Sequence, residues 1–239
     1  MIYAVSDIHG CYTDFLELLK RLNFNDRDTL YILGDIIDRG PGSIELLRYI
    51  SLCPNIIPLF GNHDYAAYIL LPKLIHTLDD ETLKELDNPV WINILSLWLS
   101  DGGLETVNKF KKLSSDDQQF YLDFMGEFDV IIEITVNGRD YILTHSLPSD
   151  FHENPTFKGR NVLDIINGRP DFSAKWKMGK TYVIGHTPTS LIYPDHRKEI
   201  YIKDDLINID CGCVFGGNLA AFCLDTGEVI YSAHKTEFS

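Results

Sequence analysis

Asp7 and His9 stand either side of Ile8, directly behind the apolar run Ile2-Tyr3-Ala4-Val5. In an extended segment alternate side chains share one side, so this pair can reach a single cation together. Further apolar runs are followed by Gly34-Asp35, then Asp38-Arg39-Gly40, by Gly61-Asn62-His63-Asp64, by His145, and by Gly185-His186-Thr187-Pro188. Carboxylates, an amide oxygen and imidazoles are ligands for hard or borderline divalent ions such as manganese, iron or zinc. Asp35 is central in this order and could bridge two ions, with Asn62, His145 and His186 completing the second site. Gly34, Gly61 and Gly185 permit tight turns next to the ions. Singly, each fragment is weak: Asp-x-His is most often a surface loop, a lone histidine most often structural. The ordered recurrence, each time behind an apolar strand, is what points to one shared centre. His76, His152, His196 and His234 lack that setting and read as surface or structural. The run Asp79-Asp80-Glu81 reads as a solvated face.

The elements that must position these residues follow from periodicity. Residues 2–6, 29–33 and 55–60 read as buried strands. Between them, Phe15, Leu16, Leu18, Leu19 and Leu22, then Ile44, Leu47 and Ile50, recur at helical spacing. The opening is thus β-α-β-α-β, which implies a parallel sheet with right-handed crossovers. Loops beyond the carboxyl ends of such strands converge on one crevice. Residues 65–126 read as mostly helical. Strands resume at 128–136, turn at Asn137-Gly138 and return over 140–144. Short strands follow at 181–184, 199–202, 206–209 and 219–224, with a terminal hairpin through Asp225-Thr226-Gly227. The pattern predicts an α/β fold of two mixed sheets packed as a β-sandwich flanked by helices (α/β/β/α). We read one domain over residues 1–239, with a helical insertion at about 65–126.

Composition narrows the function classes. The chain has 239 residues and is 45% hydrophobic, enough for a sizeable core. A net charge of −14 repels polyanions, so long nucleic acid is a poor partner. Phosphate substrates stay open, because bound cations invert the field locally. No apolar run is long enough to span a bilayer and no leader pattern follows Met1, so a cytoplasmic location is expected. Five cysteines, an odd number, argue against a disulfide framework. Cys211 and Cys213 form a C-x-C pair, but a structural zinc site needs two further ligands, and reduced, partly buried thiols are the plainer reading.

The ordered set Asp7-Ile8-His9-Gly10, Gly34-Asp35-Ile36-Ile37-Asp38-Arg39-Gly40, Gly61-Asn62-His63-Asp64, His145 and Gly185-His186-Thr187-Pro188 resembles the calcineurin-like metallophosphoesterase superfamily. More narrowly it is similar to the bacterial and phage serine/threonine phosphoprotein phosphatases. Ile209-Asp210-Cys211-Gly212 with Gly216-Gly217-Asn218-Leu219, and Asp101-Gly102-Gly103 with Thr106, also resemble that group.

The resemblance implies that Asp7, His9 and Asp35 hold one metal, and Asp35, Asn62, His145 and His186 the other. Manganese is the first choice, with iron or zinc accepted by the same ligands. Arg39 would grip phosphate oxygens, and His63 would be the general acid, oriented by Asp38. A second phosphate-clamping arginine should lie between His145 and His186; Arg169 is the choice and Arg160 the competitor. Close relatives carry Glu where this chain has Asp64, and small residues where it has Ser146-Leu147-Pro148. Neither departure removes a ligand, though both bear on the substrate mouth. The implied activity is hydrolysis of a phosphate ester by water activated between two metals. A phosphorylated protein is the first substrate, and a symmetrical dinucleoside tetraphosphate or other small phosphoanhydride or phosphodiester the alternative. A non-catalytic binding module on the same fold is disfavoured, because every ligand position and His63 are filled.

Overall fold

The structure is a computed structural model that describes residues 1–75 and 89–232, with the backbone alone for 89–91. His76, His234 and the acidic run Asp79-Asp80-Glu81 lie outside the described residues.

The first sheet begins with three parallel strands, β1 (Ile2–Val5), β2 (Thr29–Ile32) and β3 (Ile56–Pro58). Their crossovers are helices α1 (Tyr12–Leu22) and α2 (Ser43–Ser51). Helix α1 buries Phe15, Leu18, Leu19 and Leu22, an i, i+3, i+4, i+7 stripe. It ends at Asn23, whose left-handed backbone lets the Phe24 N–H reach the Leu19 carbonyl at 3.0 Å.

The second sheet opens with the hairpin of β4 (Ile131–Val136) and β5 (Arg139–Thr144). Asn137 and Gly138 both adopt positive φ, the conformation whose twist matches paired strands. Strands β6 (Thr181–Ile184), β7 (Tyr201–Lys203) and β8 (Leu206–Asn208) extend it in the order β4-β5-β6-β8-β7. The chain then returns to the first sheet with β9 (Ala220–Cys223) and β10 (Val229–Tyr231), giving the order β10-β9-β1-β2-β3.

Two mixed sheets of five strands therefore pack face to face, as the sequence predicts. Strand pleating sorts the core. On β5, Tyr141 and Leu143 point into the inter-sheet layer with Ala4, Val183 and Phe222, while Ile142 points out. Tyr3 and Val5 face the helices of the first sheet. The outer face of the second sheet is covered differently. One short helix, Val162–Ile166, and a long irregular segment anchored by fully buried Trp176 and Phe151 close it.

Between the sheets in sequence run helices α3 (Asn62–Ile75), α4 (Pro89–Trp98), α5 (Leu104–Phe110) and α6 (Ser115–Gly126). The short helix at Val162–Ile166 is then α7. Helices α4 and α5 are joined by one wide turn, Leu99–Gly103, that helical periodicity alone does not announce. Gly102 has φ +109 there, and a Cβ on it would sit 2.6 Å from Arg39 Cγ. Only glycine allows this close approach.

The C-x-C motif does not act as a unit. Cys211 faces the inter-sheet core, whereas Cys213 faces the helix side. There Cys213 meets Cys11 and Asp14, their donor atoms lying within 4.8 Å of one another. All five cysteines are free.

Candidate active site

The residues expected to do chemistry occupy the carboxyl ends of β1, β2, β3, β5 and β6, and backbone hydrogen bonds lace these ends together. The His9 N–H donates to the Asp35 carbonyl at 2.9 Å, the Asp7 N–H to the Gly34 carbonyl at 3.1 Å, and the Gly185 N–H to the His145 carbonyl at 2.9 Å. Asp7, His9, Asp35, Asp38, Arg39 and His186 all have positive φ. For residues with a Cβ each such conformation costs about 1–3 kcal/mol and persists only where the surroundings over-determine it. Its concentration here marks a functional centre. The backbone is also crowded: a Cβ on Gly61 would lie 2.1 Å from Asp35 Oδ1.

Asp35 is the hub. Its Oδ1 accepts the His63 N–H at 3.0 Å, at the N-terminus of α3. Its Oδ2 lies 3.3 Å from His9 Nε2 and 3.5 Å from His145 Nε2. Donor atoms of Asp35, His145 and His186 fall within 4.8 Å of one another, as do those of His9, Asp35 and His63. Asn62 Oδ1 is 3.1 Å from His145 Nε2, and so is His186 Nδ1. Asp7 adjoins the group: one carboxylate oxygen accepts the His186 N–H at 2.9 Å and the Ser6 hydroxyl.

The donor chemistry fits a cation. His9 Nδ1 lies 2.9 Å from the Ile37 carbonyl and His145 Nδ1 2.7 Å from the Leu33 carbonyl. A carbonyl only accepts, so each Nδ1 carries the proton, and in a neutral ring Nε2 is a lone pair. Those lone pairs face the Asp35 carboxylate. Such a gathering of acceptors is satisfied by positive charge. Burial, then His145, lower His186 to about 3, which leaves it neutral and able to ligate near pH 7. Burial alone would raise Asp35, but positive charge on the His145, His63 and His9 rings, the part a cation takes over when bound, outweighs burial and holds the carboxyl well below the usual range.

Beside this cluster, His63 Nδ1 meets Asp38 Oδ2 at 2.7 Å. Its Nε2 lies 2.9 Å from an Arg39 amino group and 3.3 Å from Asp101 Oδ2. Burial works against charge on His63, yet Asp35, Asp101 and Asp38 together push it up to about 10. Arg39 also contacts His9 Nε2, pairs with Asp101 at 3.0 Å, and lies over the Phe215 ring at 5.2 Å. A recess of about 200 Å³ is lined by Asp7, His9, Arg39, Arg169, His186 and Phe215, among others.

Arg169 and Arg160 are separated by the structure. Arg169 reaches the recess and donates to Thr187 Oγ1 at 3.1 Å. Arg160 is tied into its own loop, 2.9 Å from Asp150 and 2.9 Å from the Thr156 carbonyl. Ser146 and Leu147 account for the delivery of Arg169. The Ser146 hydroxyl donates to the Gly168 carbonyl at 2.6 Å, and the Leu147 backbone packs directly on Gly168. Asp64 has a structural part as well. It accepts N–H groups from Gly61 at 3.1 Å, Ile36 at 3.0 Å and Ile37 at 3.3 Å, joining two of the site loops.

Sequence reasoning passes over Trp98 and gives no role to Asp101, though both touch this machinery. Trp98 donates to Asp38 Oδ2 at 2.6 Å, and Asp101 contacts both Arg39 and His63. Asp101 is marked by the Asp101-Gly102-Gly103 motif alone, and Trp98 only by its position just before that break in a helical stretch.

Two mixed five-stranded sheets with a carboxylate–imidazole cluster at their strand ends define a metallophosphoesterase-type fold. The signature of calcineurin-like phosphoesterases matches residues 1–234, and the chain belongs to that family. It is 33% identical over 260 residues to a symmetrical bis(5'-nucleosyl)-tetraphosphatase of Buchnera aphidicola subsp. Schizaphis graminum, covering 92% of this chain and 93% of that one. It is 26% identical to the protein of the same description from Methylobacillus flagellatus, over 95% and 93% of the two chains. The Wigglesworthia glossinidia brevipalpis protein of that description is 38% identical over 113 residues, and there the match spans 46% of this chain and 42% of the relative. Among solved structures, a candidate diadenosine tetraphosphatase aligns with TM-score 0.61 at 22% identity, over 96% of this chain and 91% of that one. A cold-active protein tyrosine phosphatase aligns with TM-score 0.54 at 17% identity, over 96% and 75%. At these identities the structural neighbours speak for the fold alone.

Proposed function

We propose that this chain hydrolyses dinucleoside tetraphosphates symmetrically, into two nucleoside diphosphates. The observation that carries the reading is the 33% identity, along nearly the full length of both chains, to a relative described as a symmetrical tetraphosphatase. A phosphoprotein substrate, placed first on motifs alone, has no comparable support among these relatives and becomes the second reading. Among the described residues no helix is long and apolar enough to cross a membrane. Five free thiols suit a reducing compartment, and we place the protein in the cytoplasm. We treat residues 1–239 as one catalytic unit with 65–126 as its helical insertion.

Asp7, His9 and Asp35 are assigned to one divalent cation, and Asp35, Asn62, His145 and His186 to the other. Manganese is the first choice. When bound, such ions acidify a water and neutralise phosphate charge. The chain's own groups then orient and complete the reaction. Arg39 and Arg169, both on the recess, hold non-bridging phosphate oxygens. Asp38 fixes the His63 ring so that Nε2 faces the departing oxygen. His63 carries the proton that this oxygen takes as its bond to phosphorus breaks.

The test is a hydrolysis panel on the chelated enzyme with manganese, iron or zinc restored. Diadenosine tetraphosphate should be cleaved to ADP alone, with kcat/KM about 100-fold or more above that for a phosphoserine peptide. ATP and AMP as products, or a preference for the peptide, would reverse the assignment.

A further inference from the structure

A cleft of about 720 Å³ opens where Asn62 and His63 meet α4 and α7. Small-molecule sites commonly span roughly 300–1,000 Å³. The recess, at about 200 Å³, is too small for a nucleoside but suits a phosphate group. The geometry points to the larger cleft as the site for the nucleobase of the leaving nucleoside diphosphate, with the opposite nucleoside left largely in solvent. This inference rests on the tetraphosphate reading above.

Continuity with the chemistry fixes the occupant. His63 and Asn62 are among the residues that line the cleft. The group that receives the His63 proton must depart on that side, so the leaving half of the substrate runs from His63 into this space. The walls suit a flat, uncharged ring. Tyr65 comes from α3 and is braced edge-on by Phe60, with ring centroids 5.3 Å apart. Leu97 from α4 is 69% exposed and Leu163 from α7 is 51% exposed, and both offer apolar surface to the cleft. Asn167 also lines the cleft. One of its amide N–H groups donates to the Leu163 carbonyl at 3.1 Å, and its carbonyl oxygen is the acceptor a base amino group requires. The other half of the substrate meets Phe215, 56% exposed beside a recess that cannot enclose a base. One base is therefore recognised and the other is not, so a nucleoside tetraphosphate carrying a single base should also serve as substrate.

The experiment is calorimetric titration of ADP and of pyrophosphate into the manganese-loaded full chain, for the native protein, Leu97→Gln and Ile69→Gln. Leu97 is already largely exposed, so its substitution leaves the fold intact. ADP should bind about tenfold more tightly than pyrophosphate to the native protein, the contribution expected of burying part of an apolar ring. The ratio should fall toward one in both variants while pyrophosphate affinity stays constant. Equal affinities in the native protein, or a preference retained in both variants, would overturn the assignment. Diadenosine tetraphosphate turnover separates the two readings. Cleavage with a KM indifferent to both substitutions removes the base site and keeps the function. A nucleoside-dependent affinity without cleavage removes the function and keeps the base site.

Discussion

His63 Nδ1 lies 2.7 Å from Asp38 Oδ2, and the same oxygen takes the Trp98 indole N–H at 2.6 Å. The other Asp38 oxygen accepts the Thr106 hydroxyl at 2.5 Å. A buried carboxylate so fully partnered is held in position, and it commits the His63 proton to Nδ1 in the neutral ring. Nε2 is thereby left to face substrate. The helical segment 98–106 thus acts on the proposed acid through Asp38.

Thr106→Val should remove one of these supports without touching substrate. We expect kcat for diadenosine tetraphosphate to fall about tenfold with KM nearly unchanged, the pattern of an interaction realised in the transition state. Thr106→Ser, which keeps the hydroxyl, should recover most of the loss. A change confined to KM would show that Thr106 shapes binding.

The role of His63 is read through the leaving group. A diphosphate oxygen leaves with a pKa on the order of 6, far below that of an alkyl alcohol, and needs less protonation. His63→Asn should lower kcat by about 10²–10⁴-fold on an alkyl phosphomonoester and by clearly less on diadenosine tetraphosphate. Metal content, measured by elemental analysis, should stay unchanged. Equal losses on both substrates would exclude His63 as the acid.

Arg169 and Arg160 give a paired comparison. Arg169→Ala should weaken inhibition by inorganic phosphate about tenfold, as loss of a charge-assisted hydrogen bond requires. Arg160→Ala should leave that inhibition unaltered, because its guanidinium is engaged with Asp150 and the Thr156 carbonyl. The reverse result would reassign the second phosphate clamp.

Thiol chemistry reports on the core. Cys53 is half-buried, while Cys11, Cys211, Cys213 and Cys223 are buried, so iodoacetamide at pH 8 should label Cys53 alone in the native protein. Burial, then Asp210, push the Cys211 thiol up. A raised acid favours folding while both states are protonated, below the unfolded value of about 8.5. Above it the unfolded chain ionises first, and that contribution is lost as pH rises. Cys211→Ala should therefore flatten the fall of Tm between pH 8 and 10, and labelling of four or five native thiols at pH 8 would contradict the packing.

The sequence by itself determined the strands and the loops behind them. Short apolar runs closed by Gly-Asp, Gly-Asn-His or Gly-His are local signals, whereas β5 is apolar on both faces and only packing sorts Tyr141 and Leu143 from Ile142. Asp7, His9, Asp35, Asn62, His145 and His186 were legible for the same reason. What only the tertiary structure decided lies in contacts between remote segments. Thr106 reaches Asp38 across 68 residues and the His186 N–H reaches Asp7 across 179. The placement of Arg169 on the recess and of Arg160 in its own loop, the nearness of Cys213 to Cys11, and the wide turn that brings Asp101 to Arg39 belong to the same class. Neighbouring residues set backbone propensity, but which side chains share a cavity depends on how the two sheets and the helices of 62–126 close around it.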